Sequence, residues 1–377
     1  IDLGGESVVF NAGLPVGGTC LHVGCVPSKY LIRAAESAWR AGHAHHPGIT
    51  PRGAAADSAP LLAGVRALVR DLREANYEKA VAEWEHLTFV PHEARVIGPR
   101  RVQAGGTTYE GDGILICTGS RSSIPPVPGL AETPHLTNET LFDLERLPES
   151  VIVLGGGYIA LELAQALHRL GVRVTVLQRS GVVLSHVPHD LGTSLLESLR
   201  GEGMDVRVNQ RLVRVDGDAS RVTVQTADGA CSAHALLVAT GREGNTAGLG
   251  LAEMGVELDD RGFVQAEPHL ETRVPGVFAA GDVLGGRMFV YTASMEAELA
   301  TDNLLTGSRR TPDFDPLPWV VFTDPQVAGT GLDEARAAAA GIDVDSAELP
   351  VARWPRFRVA GISHGFLRLL RDRRTNR

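Results

Sequence analysis

VIVLGGGYIALELAQALHRLGVRVTVLQ, residues 151–178, is the stretch that decides the fold. It opens on a continuous apolar run of strand length, continues with apolar residues three and four apart, and closes on a second β-branched run. Gly171 supplies the stop between helix and second strand. Strand, helix and strand in that order make one βαβ unit, so the pattern is α/β with parallel strands. Inside it, GGGYIA at 155–160 has the G-x-G-x-x-A spacing. Gly155 suits a tight turn, Gly157 lets backbone approach a pyrophosphate, and Ala160 allows close packing of a helix whose N-terminus faces the phosphates. Such a motif can also be a glycine-rich turn without a ligand; the flanking strands and helix favour a dinucleotide. An acidic residue ending the second strand would accept from the ribose of NAD, whereas LQRS (177–180) offers Gln178 and Arg179. NADPH is therefore favoured over NADH, unless Arg179 is only a solvated surface charge.

Working outward, SVVF (7–10), GILICTG (113–119), ALLVATG (235–241) and GVFAAGD (276–282) are further apolar segments of strand length, read mostly as buried. ICTG and VATG are alike, which hints at two nucleotide-binding domains. Proline and glycine mark seams at SIPPVPG (123–129), LPES (147–150) and TPDFDPLP (311–318). IDLGG (1–5) reads as the last turn of a helix entering SVVF, and FLRLLRD (366–372) as a strand running into the turn RRTN. The expectation is a fragment that lacks both termini.

The chain has 377 residues, 44% of them hydrophobic and 21% charged, with a formal charge of −9. That balance describes an ordinary globular protein with room for two or three cores and gives no basic surface for nucleic acid. No apolar run approaches the roughly 20 residues of a membrane span, and no signal peptide is visible, so a cytoplasmic location is expected. Only four cysteines in so long a chain argue against a disulfide-stapled scaffold.

Two of them lie in GGTCLHVGCVPSK (17–29). A regular helix would hold Cα atoms five residues apart at roughly 8 to 9 Å, beyond the usual reach of a disulfide. Cys20 and Cys25 therefore either never pair or pair across backbone that is not a clean helix. Gly17, Gly18 and Gly24 permit tight or left-handed geometry, and Pro27 suits the first turn of a helix starting near Cys25. The stretch reads as a strand-to-helix turn carrying a dithiol.

GGTCLHVGCVPSK, CTG, GGGYIALE, ATGR and AAGD, in this order, resemble the FAD-dependent pyridine nucleotide–disulfide oxidoreductases over nearly the whole chain. The resemblance implies an α/β fold of two Rossmann-like FAD/NAD(P)-binding domains plus a partial α+β dimerisation domain. The expected boundaries are 1–149 (FAD, N-terminal part missing), 150–266 (NAD(P)), 267–310 (return segment of the FAD domain) and 311–377 (partial interface). It implies a redox-active Cys20–Cys25 disulfide, with Cys25 against flavin and Cys20 as the interchange thiol. Lys29 matches a lysine near flavin N5 paired with a glutamate at Glu162, and Tyr158 an aromatic covering the nicotinamide pocket. Gly13, Gly18, Thr19, Lys29, Ala94, Thr118, Gly119, Gly281, Asp282 and Val290 match FAD contacts. Gly155, Gly157, Ala160, Gln178, Arg179 and Gly241 match the NADPH site. Members are homodimers.

Within the family, VPSKYLIRAAE (26–36), MFVYTASMEAELATDNLL (288–305) and VVFTDPQVAG (320–329) are most similar to mercuric reductases, and Tyr291 stands where dihydrolipoamide dehydrogenases usually carry histidine. Paired thiolates suit a soft ion, so Cys20 and Cys25 would hold Hg(II), delivered as a thiolate complex, while NADPH supplies electrons through FAD. The alternatives are a dihydrolipoamide or glutathione-type disulfide reductase, or an inactive fragment that binds nucleotide at most. Departures are Asn11 where an acidic residue would bind the adenosine ribose, His22 for an asparagine, and His92 for a glycine. Cys117 and Cys231 read as small buried or half-buried residues.

Overall fold

The computed structural model describes residues 5–43, 48–50, 53, 56–362 and 364–376. The chain forms two compact units from interleaved stretches. Unit one takes the chain up to Pro27, Val65–Ser123 and Gly241–Phe314; unit two takes Ser28–Gly64, Ile124–Thr240 and the chain from Asp315 onward. Two of these changes fall in the proline-rich stretches at 123–129 and 311–318, where missing N–H donors and fixed φ discourage ladder pairing. A third, at Gly241, comes before residue 266.

Unit two contains the stretch that decided the fold. Its parallel sheet runs Asp205–Arg207, Arg173–Leu177, Ser150–Leu154, Ala235–Val238. In order of appearance that is third, second, first, fourth, the doubly wound order that reverses direction between the first and fourth strands. Helices Tyr158–Arg169 and His189–Gly201 make the crossovers, and an antiparallel meander at Leu212–Gly217, Val222–Thr226 and Gly229–Ala233 fills the third. Every residue of Ser150–Leu154 is buried, as an uninterrupted apolar run in a covered parallel strand requires. Ile152, Leu154, Leu177, Leu236 and Val238 pack with Val215, Val222 and Val224 of the meander into one core, each large side chain contributing about 1.5–3 kcal/mol of transfer free energy.

Unit one pairs Ser7–Phe10 with Leu87–Val90 and Ile114–Ile116 with Val277–Ala279, both parallel, beside a meander at Ala94–Gly98, Arg101–Ala104 and Thr107–Glu110. Its core gathers Val96, Val102, Ile116, Leu251, Val264, Val277 and Val283. SVVF departs from the general reading of these segments as buried: Val8 and Val9 are 40% and 39% exposed, and among the described residues the strand pairs on one edge, with Leu87–Val90. IDLG at 1–4 lies outside the described residues. Phe366–Asp372 is a strand as expected, but its partner lies upstream, at Val344–Pro350, in antiparallel register. No helix among the described residues is long and apolar enough to cross a membrane.

Candidate active site

Cys20 and Cys25 are joined by a disulfide, with Cα atoms 4.6 Å apart. Continuous helix could not bring them so close, and the backbone is not continuous. Gly18–His22 is a single short helical stretch carrying Cys20, so the expected strand-to-helix turn contains a helical turn of its own. The helix is interrupted at Val23 and Gly24, and Cys25 opens the helix Cys25–Gly42. Gly17 and Gly18 take left-handed φ of +105° and +59°. At Gly24 any Cβ would lie 2.8 Å from the Thr19 carbonyl oxygen, so only glycine lets the two ends meet. Pro27 sits in the first turn, where its missing N–H costs nothing. Cys25 at a helix N-terminus is where partial positive charge favours a thiolate once the bond is reduced. His22 donates from Nε2 to the Val16 carbonyl at 2.9 Å and ties down the loop entering this turn.

The other unit-one residues expected to meet FAD cluster by strand ends. Gly13, Gly18 and Gly119 have positive φ, and a Cβ on any of them would meet nothing within 4 Å, so their backbone is open to a ligand. Thr118 and Gly119 follow Ile114–Ile116, and the Asn245 side chain donates to the Thr118 carbonyl at 3.1 Å. Gly281 and Asp282 open the turn Gly281–Leu284 after Val277–Ala279. Ser120 Oγ donates to Asp282 Oδ2 at 3.0 Å and accepts from Arg242 Nε at 2.6 Å. Arg242, 6% exposed, also donates to the Ser120 carbonyl. This relay keeps Asp282 beside a cation, and the sequence did not reveal Ser120 or Arg242 as part of it. Val290, 54% exposed, begins the helix Val290–Thr306, which Phe289 leaves without a side-chain cap. Thr292, in the first turn, buries a hydroxyl that has no partner among the described residues. Open glycine turns, an uncapped helix start and an orphan hydroxyl fit a large nucleotide with a diphosphate and ring carbonyls. Ala94 only opens a strand opposite Ala104. Asn11 gives its amide N–H to the Leu14 carbonyl at 2.9 Å, a bond no carboxylate could donate. Cys117 is exposed, not buried as the sequence suggested, because it follows the last strand residue, Ile116; Cys231 is partly buried.

In unit two, Lys29 Nζ lies 2.7 Å from Glu162 Oε2, and Glu162 is 4% exposed. Its second oxygen accepts from the Phe322 backbone N–H at 2.8 Å, and the ammonium stands 4.5 Å from the centre of the Phe322 ring. Three residues on, Gln165 exchanges hydrogen bonds with the Asp324 backbone, and Arg169 pairs with Glu202 and Asp324. One face of helix Tyr158–Arg169 is thus stitched to residues 322–324.

The same helix begins at the dinucleotide motif. Gly155 has φ +117°, and a Cβ there would come within 2.2 Å of the Ala239 carbonyl, at the point where the strand order reverses. Gly157 has open space around it and precedes the helix without a side-chain cap, while Ala160 is fully buried. Gln178 packs against Gly156 and donates to Ser180 and the Val182 carbonyl. Arg179 is exposed. Tyr158 is half-buried, edge-on to His186 at 6.5 Å between ring centres, a neighbour the sequence did not suggest. Gly241, grouped by sequence with these glycines, opens the last segment of unit one with φ +137°.

The comparisons agree with this geometry. The family profile described as pyridine nucleotide-disulphide oxidoreductase matches residues 2–297, and its dimerisation domain matches 317–377. A mercuric reductase of Streptomyces lividans is 38% identical over 99% of this chain and 80% of its own length. One from Shewanella putrefaciens is 35% identical over 99% of this chain and 68% of its own. Among solved structures, the HOCl-induced flavoprotein disulfide reductase RclA from Escherichia coli superposes with a TM-score of 0.84 at 28% identity, covering 98% of this chain and 82% of that one. A left-handed glycine turn that closes a disulfide, a doubly wound dinucleotide sheet and two matching domain profiles leave one conclusion: the chain belongs to the flavin-dependent pyridine nucleotide–disulfide oxidoreductases.

Proposed function

We propose that this protein uses NADPH and FAD to reduce Hg(II): the electron pair of one NADPH opens the Cys20–Cys25 disulfide, the two thiolates then hold Hg(II), and the electron pair of a second NADPH takes the ion to Hg(0) and leaves the dithiol reduced. The observation that carries the reading is a disulfide in a chain 33–38% identical to mercuric reductases from several bacteria. FAD, when bound, takes a hydride from the nicotinamide and hands on two electrons. The protein's own residues do the rest. Cys25 at its helix start stabilises thiolate charge, and Cys20, on its own short helix, is the thiol presented to substrate. Two thiolates on a glycine-flanked turn are soft donors for a soft ion. Lys29, fixed by Glu162, places a cation on the helix that begins at Cys25. Gly155, Gly157 and Ala160 seat the dinucleotide, Tyr158 guards its nicotinamide end, and exposed Arg179 supplies charge for a 2′-phosphate. Gly13, Gly18, Thr19, Thr118, Gly119, Asp282 and Val290 line the flavin nucleotide. The matched dimerisation domain supports a homodimer.

A second reading, a reductase of organic disulfides, is favoured by the likeness to RclA, a flavoprotein disulfide reductase. Purified intact protein should be yellow and should consume NADPH, faster than NADH, when Hg(II) and excess thiol are added. Consumption with lipoamide or glutathione disulfide but not with Hg(II) would select the second reading.

A further inference from the structure

Helix Val290–Thr306 turns Thr292, Glu296, Ala300 and Asn303 inward, so its buried face is largely polar. Glu296 is 5% exposed, and one carboxyl oxygen accepts from the Gly281 N–H at 2.8 Å. Gly281 is left-handed, with φ +79°, and a Cβ there would press to 3.2 Å from Ala293. The Glu296 bond therefore anchors the residue that sets the direction of the turn carrying Asp282. No cation pairs with Glu296 among the described residues, whereas Asp282 has Ser120 and, at 3.8 Å, Arg242. We propose that Glu296 is a positioning residue for the flavin-binding turn: its carboxyl holds the Gly281 N–H in place. This rests on the flavoenzyme reading above.

Burial pushes the Glu296 carboxyl up to about 7, the Gly281 bond opposing and the Asp282 charge adding to the rise. The other titratable groups facing it are Asp282, from its own turn, and Cys117, from the end of Ile114–Ile116. Val277–Ala279, packed on the same helix, brings none. Desolvation of the sulfur and, after it, the Glu296 charge push the Cys117 thiol up to about 11, so it stays neutral here. The diphosphate of FAD is fully ionised across this range, so loss of the Glu296 proton sets like charge against it.

The test is FAD affinity of the intact apoprotein, read by flavin fluorescence at pH 6 and pH 8, for wild type, Glu296→Gln and Glu296→Ala. Wild type should lose about tenfold in affinity over that interval and Glu296→Gln far less, since its neutral amide still accepts from Gly281. Glu296→Ala, or Glu296→Met if alanine does not fold, should bind about tenfold more weakly than Glu296→Gln at both values, having no acceptor. Parallel pH slopes in wild type and Glu296→Gln, or equal binding by the acceptor-less variant, would overturn the proposal and leave the flavoenzyme reading intact. No FAD binding by wild type at either pH would overturn both.

Discussion

Glu162 and Glu296 are the two glutamates most nearly sealed from water, one in each unit, at 4% and 5% exposure. Glu162 divides its oxygens between the Lys29 ammonium and the Phe322 N–H, a complete set of partners for a carboxylate. Glu296 has one N–H, no cation among the described residues and a second carboxylate nearby, and burial pushes it toward neutrality. Equal burial thus comes with different partners: Glu162 has a cation beside it, and Glu296, with none among the described residues, is pushed up to about 7. Glu162 is built to orient a lysine, whereas burial raises Glu296 toward giving its charge up.

Removing each carboxyl should separate the two cases. The largest effect is expected at Glu162→Ala, which strands the Phe322 N–H and leaves Lys29 without its counter-ion. Breaking a buried pair costs about 3–5 kcal/mol, reduced here toward about 2–3 kcal/mol because Lys29 is 37% exposed. Urea unfolding of the intact protein measures it; an unchanged midpoint would mean the pair is incidental. Amide variants should then act with opposite sign. Glu162→Gln destabilises at neutral pH, whereas Glu296→Gln stabilises relative to wild type there. The sign follows from linkage: the Glu296 value is raised from its ordinary 4.5 to about 7, so the folded state binds the extra proton between those limits. Wild-type stability from this group falls as pH rises from about 4.5 to about 7 and is flat above, and the advantage of Glu296→Gln should grow over that window and vanish below it. A constant advantage at all pH would contradict the assignment. The smallest effect is expected at Phe322→Leu, which keeps the backbone N–H and removes only the ring beside Lys29, a loss of about 0.5–1 kcal/mol in the same unfolding assay.

The same two residues show what the sequence could and could not reveal. Glu162 was readable because it lies within GGGYIALE, one of the motifs that carry the family resemblance. Its use of the Phe322 N–H was not, since that contact spans 160 residues. Glu296 escaped for a different reason. The inward face Thr292, Glu296, Ala300, Asn303 is polar, so apolar periodicity points away from the true core side. The relay from Arg242 through Ser120 to Asp282 is likewise long-range, assembled by strand pairing between Ser120–Ser122 and Arg242–Gly244. Strand positions and the glycine turns were read well, because steric need for glycine at Gly155 or Gly24 is local. Exposure of SVVF was not, since burial depends on what a strand packs against and not on its own residues.

Electrons from a pyridine nucleotide should end on Cys20 and Cys25. Anaerobic addition of one equivalent of NADPH to the FAD-loaded protein, followed by alkylation and peptide mapping, tests it directly. Before NADPH, Cys20 and Cys25 should not label; afterwards both should. A disulfide that stays intact while NADPH is consumed would contradict the account.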